Sequence, residues 1–393
     1  MELIMYHITE VKTKKQEEEF LRLPALLYEV NEDNKWVSPL YSDTRHFFDT
    51  RKNPLLKDGE AARWLLYDVN KHLIGRIAAF YWTTPDEKQD PPMGYFGFFE
   101  CSDDKKGAEK LFRVAANWLK ERGMKGMLGP FHLGGPGFFT GSLVRGFYEP
   151  AYGVPYNFSF YNDLFLGFGF RMASKYCTYR IPLADSTEWK ITAKKAQPFY
   201  NNPNYRIAFF GSKNCVKFSQ DFTRVFNQVW TGFPGMAPMT EKRAMDRCKM
   251  LRLFLEKKTI LFFYYKEEPV AFLIAVPDVH RVFRKFKGKY NLFDRWVLWF
   301  VVKILKRVKI LSGLIYGVVP EHQGKGIEAA LLHSLQEVVS GEKLKYDELR
   351  LNRVGEFAPE MRKTVQLLAG KFYQQYVMYQ IMFDEIKDTN DNS

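Results

Sequence analysis

The segment LIYGVVPEHQGKGIEAALLHSL, residues 314–335, contains the most informative pattern in the chain. An apolar run typical of a buried strand leads to Pro320, and two glycines, Gly324 and Gly326, stand directly before an amphipathic helical pattern. Glycine lets a ligand approach the main chain closely, and the unpaired amides of a helix N-terminus favour a bound phosphate. We therefore predict a strand, an anion-binding loop and a helix, with Lys325 adding a positive charge to the loop.

The spacing of residues in this loop excludes two common phosphate-binding motifs. The loop contains neither G-x-x-x-x-G-K-S/T, which marks a P-loop, nor G-x-G-x-x-G with an acidic residue about twenty positions later, which marks a dinucleotide fold. It does resemble the GNAT acetyltransferase signature Q/R-x-x-G-x-G/A, in which Gln323 matches the first residue and Gly326 the glycine. Glu328 stands at the last position, where its carboxylate would repel a phosphate unless it points away. A glycine-rich helix start that binds nothing is the alternative.

The resemblance to GNAT proteins implies an acyl-CoA co-substrate, acetyl-CoA or longer, whose pyrophosphate lies on this loop. It also implies that the strand before the signature separates from its neighbour and admits the cofactor. The cofactor-binding residues that follow from the resemblance are Val318, Val319, Gln323, Gly324, Lys325, Gly326 and Ile327.

The predicted elements occur in the same order twice, which indicates two domains built on one plan. They are strands at 63–69, 73–82 and 95–100 with a helix at 108–120, then strands at 205–210, 260–265, 270–276 and 313–319 with a helix at 327–339. The sequence KGAE at 106–109 corresponds to KGIE at 325–328, each between a strand and a helix. We therefore expect a mixed α/β fold of the α+β type, with two GNAT-like domains, each a twisted mixed sheet flanked by helices.

The polar stretch at 186–204 contains two prolines and is where we place the boundary, giving domains at 1–190 and 191–393. In the N-terminal domain Asp104 stands where the other copy has Gln323, and Gly107 is the single glycine of its loop. This copy is therefore predicted to bind no second pyrophosphate. Tandem GNAT architecture resembles large N-acyltransferases, including myristoyl and aminoacyl transferases, in which one copy keeps the cofactor.

Composition and charge narrow the class of protein. Of the 393 residues, 46% are hydrophobic and 17% aromatic, which is typical of a globular chain with a sizeable core. The net charge of +13 favours an anionic partner, such as a nucleotide cofactor, an acidic acyl carrier protein or a membrane surface. Nucleic acid is not expected, because the sequence has no RNP-like motif.

Cysteine usage and hydropathy give the expected compartment. The four cysteines form no CxxC pair and have no ligand-spaced histidine, which indicates neither a metal site nor a disulfide framework. No uncharged run reaches the roughly 20 residues of a membrane span. We expect a protein of the cytoplasm, either free or peripheral to the membrane.

The GNAT resemblance implies transfer of an acyl group from acyl-CoA to an amine, with a main-chain amide near Val318 binding the oxyanion. The tyrosine that usually protonates the departing thiolate in this family is replaced here by Val365. Tyr316 and Tyr373 are the substitutes, although either could be a core tyrosine of a strand. The catalytic residues are otherwise unknown.

Three further polar residues near the expected site are candidates for acid or base chemistry. Asp278 and Glu348 are possible bases, but acids at strand ends more commonly lie on the surface. His322 lies in the cofactor loop and could act as a general base, but the expectation is that it is either solvent-exposed or a neighbour of the phosphate.

An insertion, VHRVFRKFKGKYNLFDRWVLWFVVKILKRVKI at 279–310, separates the hairpin from the signature strand. A helix over 292–309 would be amphipathic. Its apolar side would consist of Val297, Val301, Ile304 and Val308, and its basic side of Arg295, Lys303, Lys306 and Arg307. A basic amphipathic helix suits a membrane interface or an acidic partner, whereas a helix packed on its own domain would leave the basic side solvated.

The insertion favours a lipid or long-chain amine as the acyl acceptor. The alternative function is a non-catalytic tandem GNAT protein that binds acyl-CoA or lipid, which the missing tyrosine and Glu328 support.

Overall fold

The computed structural model of the protein describes residues 6–30, 35–82, 90–134, 140–210, 214–231, 238–251, 258–305, 307–340, 346–356 and 359–386. The chain divides into two compact units, each of which combines segments that are distant in sequence. Unit 1 consists of Met1–Tyr176, Phe283–Asn291 and Gln374–Ser393, and unit 2 of Cys177–Val282 and Leu292–Tyr373. The boundary between residues 190 and 191 stays a prediction about where independently folding domains meet.

Strands and helices alternate along the chain, which confirms the expected mixed α/β fold. The strands are β1 (His7–Glu10), β2 (Gly59–Tyr67), β3 (Leu73–Trp82), β4 (Met93–Cys101), β5 (Gly126–Gly129), β6 (Ser142–Arg145), β7 (Arg171–Pro182), β8 (Tyr205–Phe209), β9 (Ile260–Tyr265), β10 (Glu268–Pro277), β11 (Ile310–Val318), β12 (Glu348–Gly355) and β13 (Lys371–Met382). The α-helices are α1 (Lys14–Val30), α2 (Tyr41–Phe48), α3 (Lys105–Lys120), α4 (Tyr161–Phe168), α5 (Thr187–Tyr200), α6 (Cys215–Trp230), α7 (Glu241–Leu251), α8 (His280–Phe283), α9 (Leu292–Trp299), α10 (Ile327–Ser340) and α11 (Pro359–Leu367).

Unit 1 contains a sheet in the order β1-β2-β3-β4-β5-β13. Strands β4 and β5 are parallel, and the other neighbouring pairs are antiparallel. The hairpin of β2 and β3 forms as predicted, because the Asp68 carboxylate accepts hydrogen bonds from the amides of Asn70 and His72 and closes the turn. The last strand also supplies core side chains to this unit, namely Val377, Tyr379 and Ile381, which pack with Leu111, Phe112 and Ala115 of α3.

Unit 2 contains a sheet in the order β7-β12-β11-β10-β9-β8. Strands β11 and β12 are parallel, whereas β8, β9, β10 and β11 pair antiparallel with their neighbours. Helices α6 and α10 pack against this sheet and contribute much of the core, including Phe218, Phe222, Ile327, Leu331 and Leu335.

The polar stretch expected to contain the boundary is the helix α5. Its start is capped by Ser186, whose hydroxyl accepts from the amide of Trp189 at 3.3 Å. Trp189, Ala196 and Phe199 are buried, and α5 packs along α10. Pro198, one of the two prolines of this stretch, lies in the last turn of the helix, and the placement of a domain boundary here stays a prediction.

The cysteines also differ from expectation. Cys215 at the start of α6 forms a disulfide with Cys248 of α7, with 5.9 Å between their Cα atoms. The two are 33 positions apart, and antiparallel packing of consecutive helices brings them together. Cys101 is buried and has no disulfide, and Cys177 is half-buried.

The insertion contains a shorter helix than predicted. Helix α9 ends at Trp299 and continues as a π-helical segment, Phe300–Ile304, and β11 then begins at Ile310. Leu298 and Val302 are the buried side chains of this segment, whereas Ile304, one of the residues of the predicted apolar side, is exposed. Arg295 and Arg307 are exposed as expected, whereas the side chain of Lys303 and the whole of Lys306 lie outside the described residues.

None of the helices among the described residues is both long and apolar enough to cross a membrane.

We expect Ile381→Ala to lower the free energy of unfolding of unit 1 by about 2–5 kcal/mol, because it removes a buried side chain from that core. Gln380→Ala is the matched control: its side chain is exposed on the same strand, and the change should stay within about 0.5 kcal/mol. Urea denaturation measures both. Equal losses in the two variants would contradict the place of β13 in the core.

Candidate functional site

The loop between β11 and α10 is fixed at its entry by main-chain and side-chain hydrogen bonds. The amide of Val319 donates to the carbonyl of Val270 at 2.9 Å. A single 3-10 turn, Pro320–His322, follows, and the Gln323 side-chain amide then donates back to the carbonyl of Val318 at 2.9 Å. Gln323 thus closes the loop onto the end of its own strand, which gives a physical reason for an amide side chain at this position.

Both glycines of the loop adopt backbone conformations that other residues rarely adopt. The φ angles are +72° at Gly324 and +94° at Gly326. A Cβ on Gly324 would meet no atom within 4 Å, and one on Gly326 would lie 3.5 Å from the ring of Phe199. The space above Gly324 is therefore open to a ligand.

The main-chain amides of this loop point to an anion site. Across the described part of the chain, the amides from Gly324 to Glu328 find no hydrogen-bond acceptor, and the first bond of the turn runs from Ala329 to the carbonyl of Gly326 at 3.0 Å. Ile327 is fully buried and anchors the helix, whereas Lys325 is exposed at the rim. Unpaired amides, the helix dipole and this lysine together suit a pyrophosphate.

The corresponding position in unit 1 is filled by the protein itself. The Asp104 carboxylate caps α3 by accepting from the amide of Gly107 at 3.0 Å, and its other oxygen accepts from the Tyr6 hydroxyl at 2.7 Å. A Cβ on Gly107 would lie 3.0 Å from the side chain of Leu66, so this helix start is also crowded. A negative charge that belongs to the chain thus occupies the position that a phosphate would take.

Next to the loop in unit 2, the parallel strands β11 and β12 separate. Their pairing runs from Ile310 opposite Glu348 to Gly313 opposite Leu351 and then stops, although both strands continue. Beyond this point residues 314–316 are half-exposed in the middle of the sheet. The separation matches the one that the GNAT resemblance implies, and it opens a gap along the edge of β11.

A cluster of charged side chains lies on the paired part of β11 and β12, which ends at Gly313 and Leu351. Arg350, 4% exposed, donates through Nε to a Glu348 oxygen at 2.9 Å, and its Nη1 lies 3.5 Å from an Asp278 oxygen. The Arg180 guanidinium pairs with the other Glu348 oxygen. The expectation that Asp278 and Glu348 lie on the surface was wrong, because neighbouring strands cover these strand ends and supply the arginines.

The two candidate tyrosines lie in different surroundings. Tyr373 is 6% exposed, with its ring centroid 4.7 Å from the Arg350 guanidinium and 5.2 Å from that of Arg180. Tyr316 is half-buried on the separated part of β11, opposite Leu273. Val365, at the family's usual tyrosine position, is a core residue.

His322 is buried, so the expectation that it is solvent-exposed was wrong, and its place beside a phosphate stays a prediction. It is 7% exposed, and its ring centroid lies 5.2 Å from that of Tyr265 and 6.3 Å from that of Tyr205. Burial and the nearby charge of Lys325 lower the pKa of His322 below its usual value. The lowered pKa favours the neutral imidazole, whose ring packs near the two tyrosines.

No cluster of three or more His, Cys, Asp or Glu side chains that could hold a metal ion occurs within the described ranges.

Comparison with known proteins gives relatives along nearly the whole chain. No protein-family model matches the sequence. The bacterial ceramide synthase of Caulobacter vibrioides is 24% identical over 383 residues, covering 94% of this chain and 96% of that protein.

Two solved structures resemble the fold. The tandem GNAT protein from the clavulanic acid biosynthesis pathway has a TM-score of 0.54 at 9% identity and covers 96% of this chain and 98% of that one. The GCN5-related glucosamine N-acetyltransferase region of a fungal multi-domain beta-N-acetylglucosaminidase has a TM-score of 0.57 at 11% identity and covers 97% of this chain. This chain spans 38% of the length of that fungal protein.

We expect Arg350→Leu to lower the free energy of unfolding by about 3–5 kcal/mol, because it removes a buried cation between two buried carboxylates. Arg224→Leu is the control, since Arg224 pairs with Glu268 on the surface and should contribute less than about 1 kcal/mol. Chemical denaturation distinguishes the two. A loss for Arg350→Leu as small as the control's would show that this buried cluster contributes little to the stability of unit 2.

Proposed function

Because this chain has a tandem GNAT fold, we propose that it is an N-acyltransferase that moves an acyl group from acyl-CoA to a lipid-like amine. The observation that carries the proposal is the combination, in unit 2, of an open glycine loop with a strand separation directly before it. The loop fits a pyrophosphate and the gap fits an extended chain with amide groups. Coenzyme A contains a pyrophosphate and, joined to it, an extended chain with amide groups.

The choice of a lipid-like acceptor rests on the relative named as a ceramide synthase, which aligns along almost its whole length. A ceramide is the amide of a fatty acid and a long-chain amino alcohol, so its synthesis joins an acyl group to an amine. The same chemistry on this chain would use a long-chain amine as acceptor. An acyl carrier protein is a second possible acyl donor, which the net charge of +13 would attract.

The reaction forms a carbon–nitrogen and a sulfur–hydrogen bond, and it breaks a carbon–sulfur and a nitrogen–hydrogen bond. The amine nitrogen bonds to the thioester carbonyl carbon, the carbon–sulfur bond breaks, and the proton lost by nitrogen ends on the thiol. A donor for the developing oxyanion is expected from the main chain near Val318, on the separated part of β11. Val319 is less suited to this role because its amide already donates to Val270.

Tyr316 is the better candidate for protonating the thiolate. It lies on the separated part of β11, whereas Tyr373 is packed beside the guanidinium groups of Arg180 and Arg350. A general acid must reach the departing atom within hydrogen-bond distance, which favours a residue at the edge of the gap. Tyr373 is instead a positioning residue for the charged cluster.

We expect Gly324→Asp to weaken CoA binding at least about ten-fold, because a carboxylate would enter the open space above the loop and repel the pyrophosphate. Gly123→Asp is a matched control: Gly123 has a φ of +82°, and a Cβ there would also meet nothing within 4 Å. The control therefore carries the same backbone strain outside the site.

Isothermal titration calorimetry with CoA measures both variants. Equal affinities for Gly324→Asp and Gly123→Asp would place the cofactor elsewhere. One binding site per chain is expected, because Asp104 already occupies the equivalent position in unit 1.

We expect Tyr316→Phe to lower kcat by roughly 100-fold with little change in KM, since a general acid contributes to the transition state more than to binding. Tyr373→Phe is the control and should change kcat much less. The assay follows thiol release from long-chain acyl-CoA with a panel of long-chain amines, and mass spectrometry identifies the amide.

Two results would contradict the proposal in different ways. Tight CoA binding without thiol release for every amine would favour a non-catalytic acyl-CoA or lipid-binding protein. Turnover that is unaffected by Tyr316→Phe would reject Tyr316 as the acid while leaving the activity in place.

A further inference from the structure

Helix α9 and the π-helical segment after it carry an exposed apolar surface. Leu292 is 81% exposed, Phe293 74% and Trp296 68%. Three further apolar side chains on the same run are also exposed, namely Trp299, Phe300 and Ile304. We call these six residues the α9 face.

The α9 face is continuous, and its helix is firmly attached on the other side. Leu292, Trp296 and Trp299 follow one another at intervals of four and three residues, which places them along one side of the helix. Leu298 and Val302 are buried on the opposite side and hold the helix on the protein. The exposed aromatic residues are therefore presented outward by a packed helix.

We infer that the α9 face inserts into the interfacial region of an anionic lipid bilayer. Tryptophan is favoured at membrane interfaces because its ring has a large apolar body and a polar N–H. Arg295 and Arg307 are exposed within and just after the same segment, so cations flank the apolar residues. Apolar insertion with flanking positive charge is the pattern of a helix that lies in the interface plane.

Charge favours a membrane over a second copy of this chain. Two copies that each carry a net charge of +13 repel each other, whereas an anionic surface attracts the same protein. No helix in the described ranges can span a bilayer, so the contact is peripheral. The inference does not depend on the proposed activity, although a lipid-like acceptor would be met at the same surface.

The test uses the full-length protein with vesicles of phosphatidylglycerol and phosphatidylcholine in equal parts, and with vesicles of phosphatidylcholine alone. We expect Phe293→Ser/Trp296→Ser to lower the fraction that co-sediments with the anionic vesicles at least about ten-fold. Arg295→Gln and Arg307→Gln should each lower binding roughly five-fold, and added salt should reduce their effect.

The matched control is Leu166→Ser/Met172→Ser, which removes two apolar side chains that are about as exposed but lie outside the α9 face. This variant should bind vesicles as the parent does. A circular dichroism spectrum and an unchanged unfolding midpoint would show that each variant is folded.

Three outcomes would overturn the inference. The parent protein could fail to sediment with anionic vesicles, or Phe293→Ser/Trp296→Ser could bind as well as the control. The parent could also form a dimer by light scattering that becomes a monomer in Phe293→Ser/Trp296→Ser, which would assign the α9 face to a second copy. Calorimetry with CoA on the same variants is independent of all three, so it distinguishes failure here from failure of the proposed activity.

Discussion

The parallel pairing of β11 with β12, and its end at Gly313 and Leu351, is the constraint on which the rest of unit 2 depends. Up to this point the strands exchange main-chain hydrogen bonds, and beyond it the edge of β11 no longer pairs with β12. Main-chain groups in the middle of a sheet need partners, so a separation of this kind suits a ligand that carries its own amides. The ion pairs of Arg350 with Glu348 and Asp278 lie on the paired side of this point, and they connect β12 to the residue that follows β10.

The two copies show how a small difference at a helix start decides what the helix can bind. In unit 1 the Asp104 carboxylate caps α3 and satisfies the amide of Gly107. In unit 2 Gln323 turns back to the strand instead, and the amides from Gly324 to Glu328 have no acceptor in the part of the chain that the structure describes. The dipole of each helix favours a negative charge, but the first helix already has one from its own chain.

The insertion and the loop are linked by a single strand. Helix α9 precedes β11, and β11 leads directly into the glycine loop, so the α9 face and the proposed cofactor loop lie at opposite ends of one segment of unit 2. An enzyme that acylates a lipid-like amine needs both a site for a soluble, highly charged donor and access to an apolar acceptor. On the proposed function, the amides and the lysine of the loop would meet the first need, and the aromatic side chains of the helix would meet the second.

The sequence alone determined those features whose signal is local. The glycine pair, the preceding apolar strand and the following helix depend on residues within one short segment, and the hairpin of β2 and β3 depends on its own turn. The tertiary structure decided the other features, because they depend on which distant segments of the chain pack together. Trp189, Ala196 and Phe199 are buried because α5 packs along α10. Cys215 forms a disulfide with Cys248 because α6 and α7 pack together. The burial of Asp278 and Glu348, the entry of β13 into unit 1 and the outward orientation of Trp296 likewise follow from sheet order and helix docking. An apolar residue of a helix can face the protein core or the solvent. Which of the two it faces depends on packing neighbours that are distant in the sequence.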